Sequence, residues 1–179
     1  MINNRPEQDA RYLWIQKQKP SSFRFFVPGT PGTAGSKRGM PIYRGKAGAK
    51  QWTGKTVVIP ANTKGQRLWM SDVKIIALQR FHGPLITGAL SLEITFWMPR
   101  PKSHYGTGKN ADKLKPSAPV YHCQDPDGTK MVRAIEDAMT GVIYRDDNQI
   151  VSCRWRKYWV DRNSMPGAEI IISYESANV

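Results

Sequence analysis

Six of the chain's acidic residues crowd between positions 125 and 147: Asp125, Asp127, Glu136, Asp137, Asp146 and Asp147. Hard divalent cations are held by clustered carboxylate oxygens. Cleaving a phosphodiester needs an activated water, charge relief on the non-bridging oxygens and help for the leaving group, and bound Mg²⁺ supplies most of this. In this cluster Asp127, Asp147 and Asp146 are candidate ion holders. Arg133 is a candidate cation for steadying the extra negative charge. Each also has a plainer reading. Asp127-Gly128 suits the first residues of a helix. Asp146-Asp147-Asn148 is ordinary turn chemistry. Arg133 and Asp137 stand four apart, the spacing of an ion pair on a helix face.

The charge around the cluster has the opposite sign. Twenty-seven Lys plus Arg against 14 Asp plus Glu give a net charge of +13 and a pI near 10. Such a surplus favours a polyanionic partner, with affinity that falls steeply in salt. A surface that only bound DNA would gain nothing from carboxylates facing phosphate. An acidic knot inside a basic chain is therefore what a metal-dependent phosphodiester-cleaving enzyme requires.

Composition excludes several other classes. Hydrophobic residues make up 40% of the 179, too many for a disordered basic tail. No apolar run approaches the ~18 residues of a spanning helix, so no membrane partner is expected. The first residues, Met1-Ile-Asn-Asn-Arg-Pro-Glu, lack an apolar segment behind a charged one, unlike a secretory signal. Cys123 and Cys153 cannot build a disulfide framework or a Cys-rich zinc site, and are expected to be buried or inert. His82, His104 and His122 show no metal-ligand spacing and are expected in loops or on the surface. No Walker loop is present, so no nucleotide cofactor is expected. A single cytoplasmic domain is the resulting expectation.

The elements that would position the acids can be read from periodicity. Residues 1–20 read as an N-terminal arm, with 21–179 as the domain proper. Phe23 to Val27, Val57 to Ile59, Leu90 to Met98, Gln149 to Val160 and Ala168 to Tyr174 read as strands. Residues 29–54 and 100–120 read as basic loops, with Lys37, Arg38, Arg100, Lys102 and Lys109 as phosphate contacts. Gln66 to Phe81 carries one helical stripe. A second and clearer one runs through Met131, Val132, Ile135, Ala138, Met139 and Val142. Gly141 suits the position just past that helix. The fold class expected is α/β (α+β), with a mixed sheet of about five strands and two main helices. Trp97, Trp155 and Trp159 fall on strands, where a core or dimer contact is expected before base stacking.

Three segments in order carry a resemblance: Pro126-Asp127-Gly128-Thr129-Lys130-Met131-Val132-Arg133, Asp137-Ala138-Met139-Thr140-Gly141 and Tyr144-Arg145-Asp146-Asp147-Asn148-Gln149-Ile150-Val151. Together they resemble the RusA family of Holliday junction resolvases, most of all its phage and prophage members. Phe26-Val27-Pro28-Gly29-Thr30-Pro31 with Gly35-Ser36-Lys37-Arg38, and Phe96-Trp97-Met98-Pro99-Arg100-Pro101-Lys102-Ser103-His104, resemble the family's opening strand and its mid-chain basic turn. The resemblance implies a Mg²⁺-dependent endonuclease, Mn²⁺ substituting, that works as a homodimer on four-way DNA junctions. By position Asp127 matches the family's first acid, Asp147 the acid of the Asp-Asp pair, and Arg133 stands where a catalytic Lys is usual. Lys130 joins the expected DNA contacts.

One departure matters. Thr129 stands where the family has its second acid, and a neutral hydroxyl is a weaker ligand for a hard cation. Glu136 lies on the same helix face and is the preferred replacement, with Asp125 as the other candidate. The alternative function is a DNA-junction binding protein of the same fold that has lost catalysis.

Overall fold

The computed structural model describes residues 21–35, 37–46, 49–60 and 64–174, without the side chains of Lys37, Arg38, 58–60 and 64–67. The expected arm at 1–20 lies outside the described residues, as do the Lys37 and Arg38 side chains. In chain order the main elements are β1 (Ser21–Pro28), β2 (Lys37–Arg44), β3 (Gln51–Pro60), α1 (Lys64–Arg80), β4 (Leu90–Met98), α2 (Gly128–Met139), β5 (Ile150–Trp159) and β6 (Gly167–Tyr174). The class is α+β, with a four-stranded mixed sheet ordered β1-β6-β4-β5 and a separate two-stranded ribbon of β2 and β3.

Strand β6 runs antiparallel to both β1 and β4, while β5 runs parallel to β4. A parallel neighbour needs a crossover, and α2 lies in the connection that makes it. Leu90, Leu92, Ile94, Phe96 and Met98 alternate inward on β4, beside Ala168, Ile170 and Ile172 of β6. Trp69, Val73 and Ala77 of α1 and Met131, Ile135 and Met139 of α2 belong to the same core. Full burial of a side chain such as Ile135 contributes about 1.5–3 kcal/mol. Helix α2 stops at Met139, short of the expected 128–142 span that took in Val142: Thr140 is its C-cap, and Gly141 follows with φ of 72°.

Two expectations are corrected. The sheet has four strands rather than five, because the segment 57–59 belongs to β3 in the ribbon. Much of 29–54 is not loop: residues 37–44 and 51–54 are strand. None of the ribbon's described side chains is buried, and no apolar alternation marks it in the sequence. The segment 100–120 is a loop with two short 3₁₀ turns, and side chains pin it. Arg100 donates to the carbonyls of Pro119, Val160 and Trp159. Arg162 donates to Ala111 O, pairs with Asp112 and lies over the Tyr105 ring.

Candidate active site

Helix α2 positions most of the acids, and its two ends differ. At the start, Asp127 is the N-cap. Its Oδ1 accepts from Thr129 N at 3.0 Å and from Thr129 Oγ1 at 2.8 Å. These bonds, led by the hydroxyl and aided by the Lys130 charge, hold the Asp127 carboxyl below its ordinary range. Gly128 is needed for a close approach. A Cβ there would come within 2.4 Å of the Trp155 ring on β5. Lys157, also on β5, donates to Gln124 O at 2.8 Å and to Pro126 O at 2.6 Å. Those bonds fix the Asp125-Pro126 segment that leads into Asp127, and the peptide joining that pair is cis.

At the other end, Glu136 is half-buried and its carboxyl is pushed up, first by burial and then by the charges of Asp147 and Asp137. Arg133, one turn earlier, pulls in the opposite direction without cancelling them. The backbone carbonyl of Glu136 accepts from Thr140 N, Thr140 Oγ1 and the Tyr144 hydroxyl, each at 3.0 Å. This part of the helix is therefore firmly held.

The acidic turn is built with equal care. Asp146 Oδ1 accepts from Asn148 N, and Gln149 Oε1 accepts from Asp146 N, a reciprocal cap. Gln149 Nε2 also donates to Ile86 O and Gly88 O, tying the turn to the loop before β4. Asp146 is thus occupied as a cap, which leaves the exposed Asp147 as the acid presented towards Glu136.

The charges of Asp147 and Asp137 bear on Glu136, whereas Asp127 stands at the other end of the helix. Nine residues of helix separate Asp127 from Glu136, roughly 13 Å of rise. Asp147 is not among the groups that shift the Asp127 carboxyl. Among the described residues no group of three or more His, Cys, Asp or Glu is arranged to hold a metal, and no ion pair joins Arg133 to Asp137.

The family model for Endodeoxyribonuclease RusA matches residues 39–173. The chain belongs to the RusA endodeoxyribonuclease family. It is also 28% identical over 154 residues to the uncharacterized protein YqaN of Bacillus subtilis (strain 168), covering 86% of this chain and 97% of that one. In this RusA-family chain, Lys102, Lys109 and Lys130 are exposed and open to phosphate. Arg100 departs from that expectation, because its guanidinium is committed to three backbone carbonyls.

Several residues escaped the sequence reading. Lys157 gives no sequence signal because its partners are carbonyls more than thirty residues away. Gln149 stood inside a quoted segment without a role. The expected burial of the cysteines is corrected: Cys123 and Cys153 are exposed, although partial desolvation and the nearby Glu136 push the Cys153 thiol up. His122 is buried against Trp159, ring centroids 4.1 Å apart, and burial and Lys157 hold it below the usual histidine range. Among the described residues no helix is long and apolar enough to cross a membrane.

Proposed function

We propose that this chain is a Mg²⁺-dependent endonuclease, with Mn²⁺ able to substitute, that hydrolyses phosphodiesters in branched DNA such as four-way junctions. The reading includes a cytoplasmic homodimer acting in recombination and repair, since a two-fold junction is best met by a two-fold enzyme. The observation that carries it is the half-buried Glu136 carboxyl, pushed up by burial and further by the charges of Asp147 and Asp137. Like charges held together in a firm framework favour a cation between them. Mg²⁺ is commonly held by one or two carboxylates together with waters and substrate phosphates. The pair Glu136 and Asp147 fits that donor set.

Bound there, the ion would supply charge relief at the scissile phosphate and activation of the attacking water. Glu136 must lose its proton to act as a holder, and its raised carboxyl makes that loss sensitive to pH. Gln149 and Asp146 keep Asp147 in place. Arg133 is exposed one turn before Glu136 and steadies negative charge on the phosphate. Asp127, held ionised by Thr129 and by the Lys130 charge, caps α2 and stands outside this donor pair. Basic side chains from the loops grip the DNA backbone without reading sequence.

The bond between Thr129 Oγ1 and Asp127 favours a second reading, in which the first acid serves only as a helix cap and the protein binds junctions without cutting. A labelled four-way junction incubated with and without Mg²⁺ separates the two. Nicked duplex products appearing only with Mg²⁺ support the enzyme. A gel shift with no product at any metal concentration supports the binder. Glu136→Gln is expected to bind the junction as wild type does and to cut it no longer.

A further inference from the structure

The ribbon of β2 and β3 stands apart from the rest of the molecule. Neither strand makes an extended contact with another described element. A two-stranded ribbon that buries nothing is marginal on its own in water. Its described side chains are nearly all exposed, including Met40, Ile42, Tyr43, Trp52 and Val57. Tyr43 and Trp52 are direct cross-strand partners near the tip, 54% and 58% exposed. Large aromatic rings paired and bared to water in this way lack the partner their faces would stack on.

Local bonds fix the geometry around Trp52. The strand register shifts between Pro41 and Tyr43, so β3 carries extra residues opposite Ile42. Thr53 Oγ1 donates to Ile42 O at 2.8 Å, and the Trp52 indole donates to Lys55 O at 3.3 Å. The indole is thereby held rather than swinging. Beside it is a hollow of ≈ 680 Å³ lined by Ile42, Arg44, Gln51, Trp52, Thr53 and Lys55. That volume falls within the ~300–1,000 Å³ range of small-ligand sites. Trp52 and Ile42 line it together with polar side chains, and its charged lining residues, Arg44 and Lys55, are both cations.

Charge selects the partner. The segment 37–60 carries Lys37, Arg38, Arg44, Lys46, Lys50 and Lys55, and no aspartate or glutamate occurs between Asp9 and Asp72. A planar aromatic face whose charged neighbours in the hollow are cations suits a base with its phosphate. A peptide or an apolar protein surface would leave six positive charges unmatched. Base–aromatic stacking contributes about 1–3 kcal/mol per base and tolerates any sequence. Stacking needs a base already free of its neighbours, as at a branch point or in a single strand, whereas bases within a duplex are covered on both faces.

We infer that the β2–β3 ribbon is a stacking arm: Trp52, supported by Tyr43, takes an unpaired base of branched DNA, and Arg44 and Lys55 hold its phosphate. This rests on the DNA reading of the previous subsection and names the element that tells branched DNA from a plain duplex. The ribbon would add selectivity where the backbone contacts add only affinity.

The test measures binding in EDTA, where no cutting occurs, by anisotropy on a labelled four-way junction, a single strand and a linear duplex of equal length. Trp52→Ala is expected to weaken junction and single-strand binding by ~5–100-fold and to change duplex binding less than about twofold. Trp52→Phe, which keeps a stacking face, should restore most of the loss. That restoration separates lost stacking from a collapsed ribbon. Wild-type affinity of Trp52→Ala for the junction and the single strand, or an equal loss on all three DNAs, would overturn the inference while leaving the DNA reading intact. A failure of Trp52→Phe to recover would overturn it as well. A wild-type protein that binds none of the three would sink both readings.

Discussion

The two ends of α2 carry the same kind of side chain in opposite electrostatic states. Asp127 is exposed, accepts two hydrogen bonds from Thr129 and is held below its ordinary range. Glu136 is half-buried and is pushed above its range by burial and by the charges of Asp147 and Asp137. The first has its charge met within the chain. The second is met only in part by Arg133, and a bound cation would favour its ionised form. The contrast distinguishes an acid that organises the scaffold from one that awaits a partner, which acidic composition alone cannot do.

Removing the unmet charge should have the largest effect. Glu136→Gln and Asp147→Asn are each expected to lower Mg²⁺-dependent junction cleavage by on the order of 10²–10³, read by single-turnover assays at saturating DNA. Wild-type rates for both variants would dissolve the distinction between the two ends. Next comes the packing that seats the first end. Gly128→Ala forces a Cβ against the Trp155 ring and should lose about 1–3 kcal/mol in urea unfolding. An unchanged midpoint would mean that the indole moves aside freely.

Asp127→Asn sharpens the comparison differently. Asn caps a helix as well as Asp does, so thermal stability should hold, and cleavage should fall far less than in Glu136→Gln because Asp127 stands outside the donor pair. The acid limb of its pH–rate profile should stay at the wild-type position, because that limb belongs to Glu136. A shifted limb would reassign the titration to Asp127. The smallest effect concerns stability without metal. A carboxyl raised on folding contributes its stability below the ordinary value of 4.5 and loses it as pH rises through the folded value. The wild type should therefore lose melting temperature over that window relative to Glu136→Gln, which has no such group. Parallel melting curves across pH would show that the carboxylates do not repel one another.

Much of this was legible in the sequence where one face of an element is buried. The alternation on β4 and the stripe on α2 predicted their burial, because a core imposes periods of 2 and 3.6. Of the ribbon only Val57 to Ile59 was legible as strand, since its described side chains are nearly all exposed and carry no such period. The acids were visible as a cluster, yet their division between two helix ends was not. It depends on Thr129 turning its hydroxyl to Asp127 and on Gln149 reaching carbonyls more than sixty residues away. Such bonds join residues through the fold, and spacing along the chain does not encode them. For the same reason Arg100, one cation in a basic run, could not be recognised as a clamp.

Mn²⁺ titration followed by electron paramagnetic resonance, on the wild type, Glu136→Gln and Asp147→Asn without DNA, tests the central claim most directly. The account predicts one bound ion per chain in the wild type and loss of that binding in both variants. Binding that survives undiminished in either variant would contradict it and place the ion elsewhere.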